Sequence, residues 1–378
     1  MDEYDVIVVG AGPGGSAAAV SALRSRPGSR ILLLDRAPIG RDKICGDGLG
    51  PGVAVELAAL GIGDILRPEE RRSSFELVSP SGTSMVGVAS KPGYVIPRAQ
   101  LDCRLLSAAI SVGTTFRQHV VRKVRQDETG VVVDGRFKAP VLIGADGVNG
   151  VVRRAVGQPP NRAPHLALAV RGYTEAPKGC DQLFIRWDPT PGNGLGYAWA
   201  FPTADGRVNV GYGSASFSKS KTQLAERAAE LLPEFDVPST QLTGHLLPLS
   251  TRMPRTVVGR VMLVGDAASL VNPLAGEGVF YAMASGAIAG RVSGEHYAGR
   301  RYARAWKTRF GRQHRQLHVM SLFLAHPYAI EAVVRAGCRD ERVFHRLLNI
   351  GLGDGTFRLG DVIRLMATLG WRTAPTRE

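Results

Sequence analysis

Asp5-Val-Ile-Val-Val-Gly10-Ala-Gly12-Pro13-Gly14-Gly15-Ser-Ala-Ala-Ala19 reads as a short apolar strand, a glycine turn and the start of a helix of small residues. Gly10, Gly12 and Gly15 keep the G-x-G-x-x-G spacing. The first glycine permits the tight turn, the second lets a pyrophosphate approach the backbone, and the third lets helix and strand pack closely. A helix start leaves N–H groups free at the positive end of a dipole, which is a phosphate site. A second apolar strand, Ile31-Leu-Leu-Leu34, ends in Asp35, where an acid bonds a ribose hydroxyl. Strand, turn, helix and acid together predict dinucleotide binding.

The 378 residues, 44% hydrophobic and 21% charged, suit one large or two to three intergrown globular domains. The acidic Met1-Asp2-Glu3-Tyr4 running into a strand does not resemble a secretory signal. No apolar run reaches the ~18 residues a membrane span needs. Cys45, Cys103, Cys180 and Cys338 are widely spaced, with no metal-ligand pattern, which suits a reducing cytoplasm. The net charge of +14 reads first as a solvated arginine-rich surface. No nucleic-acid motif accompanies it, so nucleic acid is not an expected partner. Arginines gather between Arg300 and Arg315, where Trp306, Phe310 and Leu317 share one face of a predicted helix. That stripe is read as core-facing, with a helix resting on a membrane surface as the alternative.

Along the chain, a glycine-rich segment from Gly40 to Pro51 follows Asp35-Arg36, at the strand ends where doubly wound sheets bind ligands. Short strands follow around Phe75–Ser79 and Ser84–Val88, then a helix opened by Arg98 and a returning strand at Val141–Gly144. From about His165 to Leu249 the pattern is mostly β, interrupted by a helix over 221–232, and the tail from Tyr302 is helical. The predicted architecture is α/β. A discontinuous Rossmann-like nucleotide-binding domain (1–73 with 96–160 and 255–298) carries an inserted β-rich substrate domain (74–95 with 161–254). A C-terminal helical region (299–378) follows.

Two more strand ends carry an acid among small residues: Gly144-Ala-Asp146-Gly147 and Gly265-Asp266-Ala-Ala268, the latter followed by Asn272-Pro273 and Gly276-Glu277-Gly278. Each acid taken singly is equally a helix cap or turn residue. Jointly they imply a long cofactor crossing the sheet. By residue type alone, Cys45 is a small buried filler, and Tyr197 and Trp199 are sheet packing. His165, His245 and His296 have no pairing that suggests a triad or metal site, and are read as structural.

These three elements resemble the FAD-binding set of the aromatic-hydroxylase superfamily of flavoproteins. Within it, Arg41-Asp-Lys43-Ile-Cys45-Gly46-Asp47-Gly48-Leu49 and Tyr197-Ala-Trp199-Ala-Phe201-Pro202, followed after eight residues by Gly211-Tyr-Gly213, resemble the geranylgeranyl reductase family. The resemblance implies that Gly10, Gly12, Pro13, Gly14, Gly15, Asp35 and Arg36 hold the ADP half of FAD. It implies that Arg98, Asp146, Gly265 and Asp266 follow the pyrophosphate and ribityl chain. Lys43, Cys45, Gly46, Pro273, Gly276, Glu277 and Gly278 then belong to the flavin end, with Cys45 as catalytic candidate. Tyr197, Trp199 and Phe201 share one strand face and would line a cavity for an isoprenoid chain.

The implied activity is reduction of C=C bonds in an isoprenoid or prenylated substrate by hydride from reduced flavin. The alternative is an FAD-dependent monooxygenase acting on a prenylated or aromatic metabolite. NAD(P)H would bind transiently, since a second G-x-G-x-x-G unit is missing, and a redox donor protein and a peripheral membrane contact are further expected partners. One departure stands out: Gly150 stands where the family usually has serine, which weakens one capping bond.

Overall fold

The computed structural model describes residues 1–189, 194–215, 220–358 and 360–361. The helix expected beyond residue 361 falls outside them. Val6–Val9 and Ile31–Leu34 are completely buried, because helices cover both faces of a parallel sheet and leave no polar side to alternate with. The parallel order is Val261–Leu263, Val141–Gly144, Val6–Val9, Ile31–Asp35, Thr115–Gln118. The carboxyl ends of the three central strands carry the opening glycine turn, Asp35 and the Asp146 element.

The glycine turn leads into the helix Pro13–Ser25, which lies against Val279–Val292. A Cβ on Gly286 would stand 2.0 Å from the Gly14 carbonyl oxygen, and one on Gly290 would stand 2.1 Å from that of Ala18. Both helices are built of small residues because their backbones touch.

An eight-stranded sheet forms the second layer. Its order is Thr243–Pro248, Leu166–Glu175, Arg207–Ser214, Gly196–Pro202, Leu183–Trp187, Arg71–Val78, Ser84–Val95, Gly48–Leu49. Pairing is antiparallel except between Leu183–Trp187 and Arg71–Val78. The Arg71 strand starts ahead of the boundary expected at residue 73. Its first four residues, Arg71-Arg72-Ser73-Ser74, are polar and show no alternation, so pattern alone places the start at Phe75. Gly48–Leu49 reaches this sheet from within the stretch assigned to the nucleotide domain.

Three helices, Ala298–Phe323, Pro327–Arg339 and Glu341–Gly351, close the far side. Trp306, Phe310 and Leu317 are buried, so the stripe faces the core as read. No single helix among the described residues is long and apolar enough to cross a membrane.

Candidate active site

A cavity of about 950 Å³ follows the carboxyl ends of the parallel strands and continues between the large sheet and the C-terminal helices. At its nucleotide end, the helix Pro13–Ser25 starts with no side chain capping its first N–H groups. Gly10 holds a φ of +103°, and a Cβ there would lie 2.3 Å from the Ala145 carbonyl oxygen. Gly12 is open instead: a Cβ on it would find nothing nearer than the Arg41 guanidinium at 3.8 Å. Asp35 accepts the N–H groups of Ala11 at 2.7 Å and Ala37 at 2.9 Å, which ties the acid to the turn. Arg36, Arg41, Arg98, Arg122 and Arg154 also line this end. Arg98 donates twice to Asp102, at 2.7 Å each. Burial works against its charge, but Asp102 overrides burial and raises its pKa. This end therefore offers free amide donors and an excess of cations to a diphosphate.

Two cofactor candidates are not on the cavity wall. Gly15 faces the strand, where a Cβ would sit 1.7 Å from the Gly10 oxygen; its role is the close packing that the spacing implies. Pro273 belongs to a turn closed by Asn272 Oδ1 accepting the Leu274 N–H at 2.8 Å. The Gly150 expectation also changes. Asp146 Oδ2 accepts the Val152 N–H at 2.8 Å and so caps the short helix itself. A Cβ at position 150 would fall 2.3 Å from Asp146 Oδ1. Glycine is there because the carboxylate fills the serine's space, and no capping bond is lost. The other oxygen, Oδ1, has no partner, and burial pushes the carboxyl up to about 6.

In the middle of the cavity, Lys43 Nζ meets Asp266 Oδ2 at 2.9 Å. Burial opposes the Asp266 charge, but the Lys43 ammonium outweighs it and keeps the carboxyl below its usual value. Gly265, Gly276, Glu277 and Gly278 line the wall beside them. Glu277 accepts the Phe280 N–H at 2.9 Å, fixing the turn to the helix that follows.

Tyr197, Trp199 and Phe201 form a ladder on the cavity side of one strand, with ring centroids 5.9 and 6.4 Å apart. Trp187 extends it, 5.4 Å from Tyr197. The surrounding glycines are the imprint of these rings. A Cβ on Gly211 would lie 2.3 Å from Trp199, on Gly48 2.9 Å from Phe201, and on Gly276 2.8 Å from the Tyr197 hydroxyl. The Gly-x-Gly after the aromatic strand thus marks where the indole lies across its neighbour.

Cys45 and Gly46 line the cavity beside this wall, and a Cβ on Gly46 would lie 3.2 Å from Trp199 Nε1. Burial pushes the Cys45 thiol up, so it carries its proton through neutral pH. The loop is anchored by residues that residue-type reasoning had not assigned. Asp47, fully buried at a φ of +62°, accepts from Tyr173 Oη, Asn209 Nδ2 (2.8 Å) and the Arg98 N–H (3.2 Å). Asn209 donates to the Cys45 carbonyl at 2.9 Å and accepts from Trp199 Nε1 at 2.9 Å. One amide therefore joins the Cys45 loop to the indole. Asp47 stood inside a quoted motif, but nothing in the chain pairs it with residues 126 and 162 positions away. His245, read as structural, lines the cavity with Nε2 buried and unpartnered. Burial, then Lys43, depress it to about 4, so it is neutral at pH 7.

Beyond the ladder the cavity turns apolar. Phe75, Leu77, Met85, Leu183 and Ile185 come from the sheet, and Met320, Leu324, Ile330, Val334 and Leu348 from the helices. No charged side chain of those helices lines it among the described residues.

The open Gly12, the uncapped helix start and the arginines fit the diphosphate of a dinucleotide, and a family model described as an FAD binding domain matches residues 3–308. The chain belongs to this FAD-binding family. It is an FAD-dependent oxidoreductase. A menaquinone reductase from Mycobacterium tuberculosis is 33% identical over 354 residues, covering 86% of this chain and 85% of that one. A digeranylgeranylglycerophospholipid reductase from Methanocella arvoryzae is 30% identical over 325 residues, covering 77% of each. A geranylgeranyl bacteriochlorophyll reductase-like protein from Thermoplasma acidophilum superposes with a TM-score of 0.79 at 22% identity, over 97% of this chain and 96% of that one. The first two relatives agree with the family resemblance seen in the Cys45 and Tyr197 motifs. The third shows the same fold.

Proposed function

We propose that this flavoprotein reduces C=C bonds in the isoprenoid chain of a prenylated quinone or lipid. The observation that carries the proposal is the continuity of the cavity. The polar groove fitted to FAD passes the Cys45 loop and aromatic ladder and opens into a chamber lined by apolar side chains. An isoprenoid has no hydrogen-bonding groups to read, so shape and apolar surface are what such a site offers it. The names of the two reductase relatives point the same way.

FAD, when bound and reduced, supplies hydride to an alkene carbon. Gly10, Gly12, Pro13, Gly14, Asp35 and Arg36 hold its ADP half, and Arg98, Asp146, Gly265 and Asp266 its middle. Lys43, Cys45, Gly46, Gly276, Glu277 and Gly278 surround its reactive end. Tyr197, Trp199 and Phe201 orient the chain. Cys45, protonated because it is buried, supplies the proton to the second carbon. The large sheet with 74–95 and 161–254 serves as substrate domain on the nucleotide domain. NAD(P)H is the proposed transient donor, and the cytoplasm the proposed location.

Product mass tests this. Purified protein, a reductant and a prenylated quinone should give product gaining two hydrogens per bond altered. A product gaining one oxygen, formed only with O₂, overturns the reductase in favour of a monooxygenase.

A further inference from the structure

The helix Ala298–Phe323 is 26 residues long, about 39 Å at 1.5 Å per residue. At 100° per residue, Arg300, Arg304, Arg312, Arg315, Val319 and Leu322 fall within one third of its circumference. All six are exposed. The four arginines have no acidic partner among the described residues. Where this basic face ends, the chain turns by 113° into Pro327–Arg339. The outside of that elbow is apolar: Val319 and Leu322 are each 64% exposed, Phe323 60% and Tyr328 89%. Soluble surfaces rarely gather such residues without a partner.

The inside of the same two turns is cavity wall. Met320 and Leu324 alternate with the exposed residues and line the apolar chamber, joined by Ile330 from the next helix. Elbow and chamber are two faces of one thin layer of protein. The two helices do not together span a membrane, since Phe310, Leu317, Ile330 and Val334 are buried in the protein itself. A two-fold mate docking on this face would set arginine rows close to arginine rows, which is unfavourable.

We infer that the basic face of Ala298–Phe323 and its apolar elbow are the surface by which the protein rests on an anionic lipid bilayer. The arginines lie against acidic headgroups, Leu322, Phe323 and Tyr328 enter the acyl boundary, and the chamber behind the elbow faces the phase in which a prenyl lipid is dissolved. Only that last clause rests on the proposed substrate. Each arginine near an anionic surface is worth about fivefold in binding, and each buried Leu or Phe tenfold or more, roughly.

The test uses full-length, flavin-loaded protein without substrate. It is co-sedimented with vesicles of phosphatidylcholine alone or mixed with phosphatidylglycerol. The wild type should bind the mixed vesicles, less so as salt rises. Leu322→Asp/Phe323→Asp should lower the partition coefficient at least about tenfold. Arg304→Glu/Arg315→Glu should do the same and erase the preference for the acidic lipid. Both pairs should keep wild-type flavin content and melting temperature, since these side chains are exposed. Undiminished binding by either pair overturns the inference. So does failure of the wild type to bind mixed vesicles, or a wild-type dimer that Phe323→Asp dissociates. Reduction of a short detergent-solubilised prenyl substrate is measured separately: its failure with vesicle binding intact removes the substrate reading and leaves the surface.

Discussion

Replacing Asp47 by alanine tests whether one buried carboxylate holds the Cys45 loop to the aromatic wall. Its removal orphans three buried donors, Tyr173 Oη, Asn209 Nδ2 and the Arg98 N–H. At about 1 kcal/mol each for an unmade bond, that is roughly 3 kcal/mol. The φ of +62° adds about 1 kcal/mol for a side chain that cannot bond locally. Asp47→Ala should therefore destabilise the flavin-loaded protein by about 4 kcal/mol. Asp47→Gly escapes the backbone term and should cost about 3 kcal/mol. Asp47→Asn tolerates the left-handed backbone and can keep its oxygen toward both Tyr173 Oη and Asn209 Nδ2, which leaves the Arg98 N–H unpaired, so it should cost about 1 kcal/mol. Urea unfolding followed by flavin fluorescence ranks the three. An alanine variant within about 1 kcal/mol of wild type refutes the hub. Glycine equal to asparagine would show that backbone shape, and not the carboxylate, matters there.

Gly286→Ala should force the two central helices apart, since its Cβ begins 2.0 Å from the Gly14 oxygen. A cost of about 1–3 kcal/mol and reduced bound flavin by absorbance are expected, and a fully flavinated variant with unchanged melting contradicts that contact. Cys45→Ala should keep bound flavin and lower kcat about a hundredfold or more, the usual reach of a general acid; unchanged kcat removes the thiol as proton source. Trp199→Ala should leave flavin content intact and broaden the products made from a polyprenyl substrate, read by mass spectrometry. An unaltered product pattern with unaltered KM excludes the indole from substrate positioning. His314 is buried among Tyr281, Trp306 and Phe310 with both ring nitrogens unpartnered, and burial depresses it to about 4. Above the unfolded value near 6.5 it is neutral in both states. As pH falls from there toward 4 only the unfolded chain takes the proton, so about 3 kcal/mol of stability is lost. His314→Phe should flatten this slope in urea melts at pH 7.5 and 5, and an unchanged slope rejects the assignment.

The nucleotide end of the site was legible because its chemistry is local. A turn, a helix start and an acid at a strand end are each written in a few adjacent residues, so spacing alone singles out Gly10, Gly12 and Asp35, which line the cavity. Gly15 was legible too, but as packing. The motif does not distinguish a glycine that admits a ligand from one that admits a neighbouring backbone. Asp146 was left balanced between cap and ligand, and its capping bond to Val152 exists although it also lines the cavity. Asp47, Asn209 and His245 were out of reach because their partners come from strands far along the chain.

The glycines around the aromatic ladder show what kind of information a sequence does hold about a distant contact. Gly46 and Gly48 of the Cys45 loop, Gly211 and Gly276 lie on three separate segments, and each touches the ladder Tyr197-Trp199-Phe201 where a Cβ would lie 2.3–3.2 Å from a ring or hydroxyl atom. An aromatic strand this crowded can keep its rings on one face only if every surface opposite surrenders its side chain. The Gly211 spacing in the motif is thus the shadow of Trp199, and the glycines of the Cys45 loop are the shadow of Trp199 and Phe201. It follows that Gly211→Ala should act like a mutation of the indole. The added methyl, 2.3 Å from Trp199 Cζ2, pushes the ring off Asn209 and loosens the Cys45 carbonyl tethered to the same amide. The near-ultraviolet circular dichroism of the indole and the KM for a prenyl substrate should shift together in that variant. A shift in stability alone would show that the glycine serves the sheet and not the site.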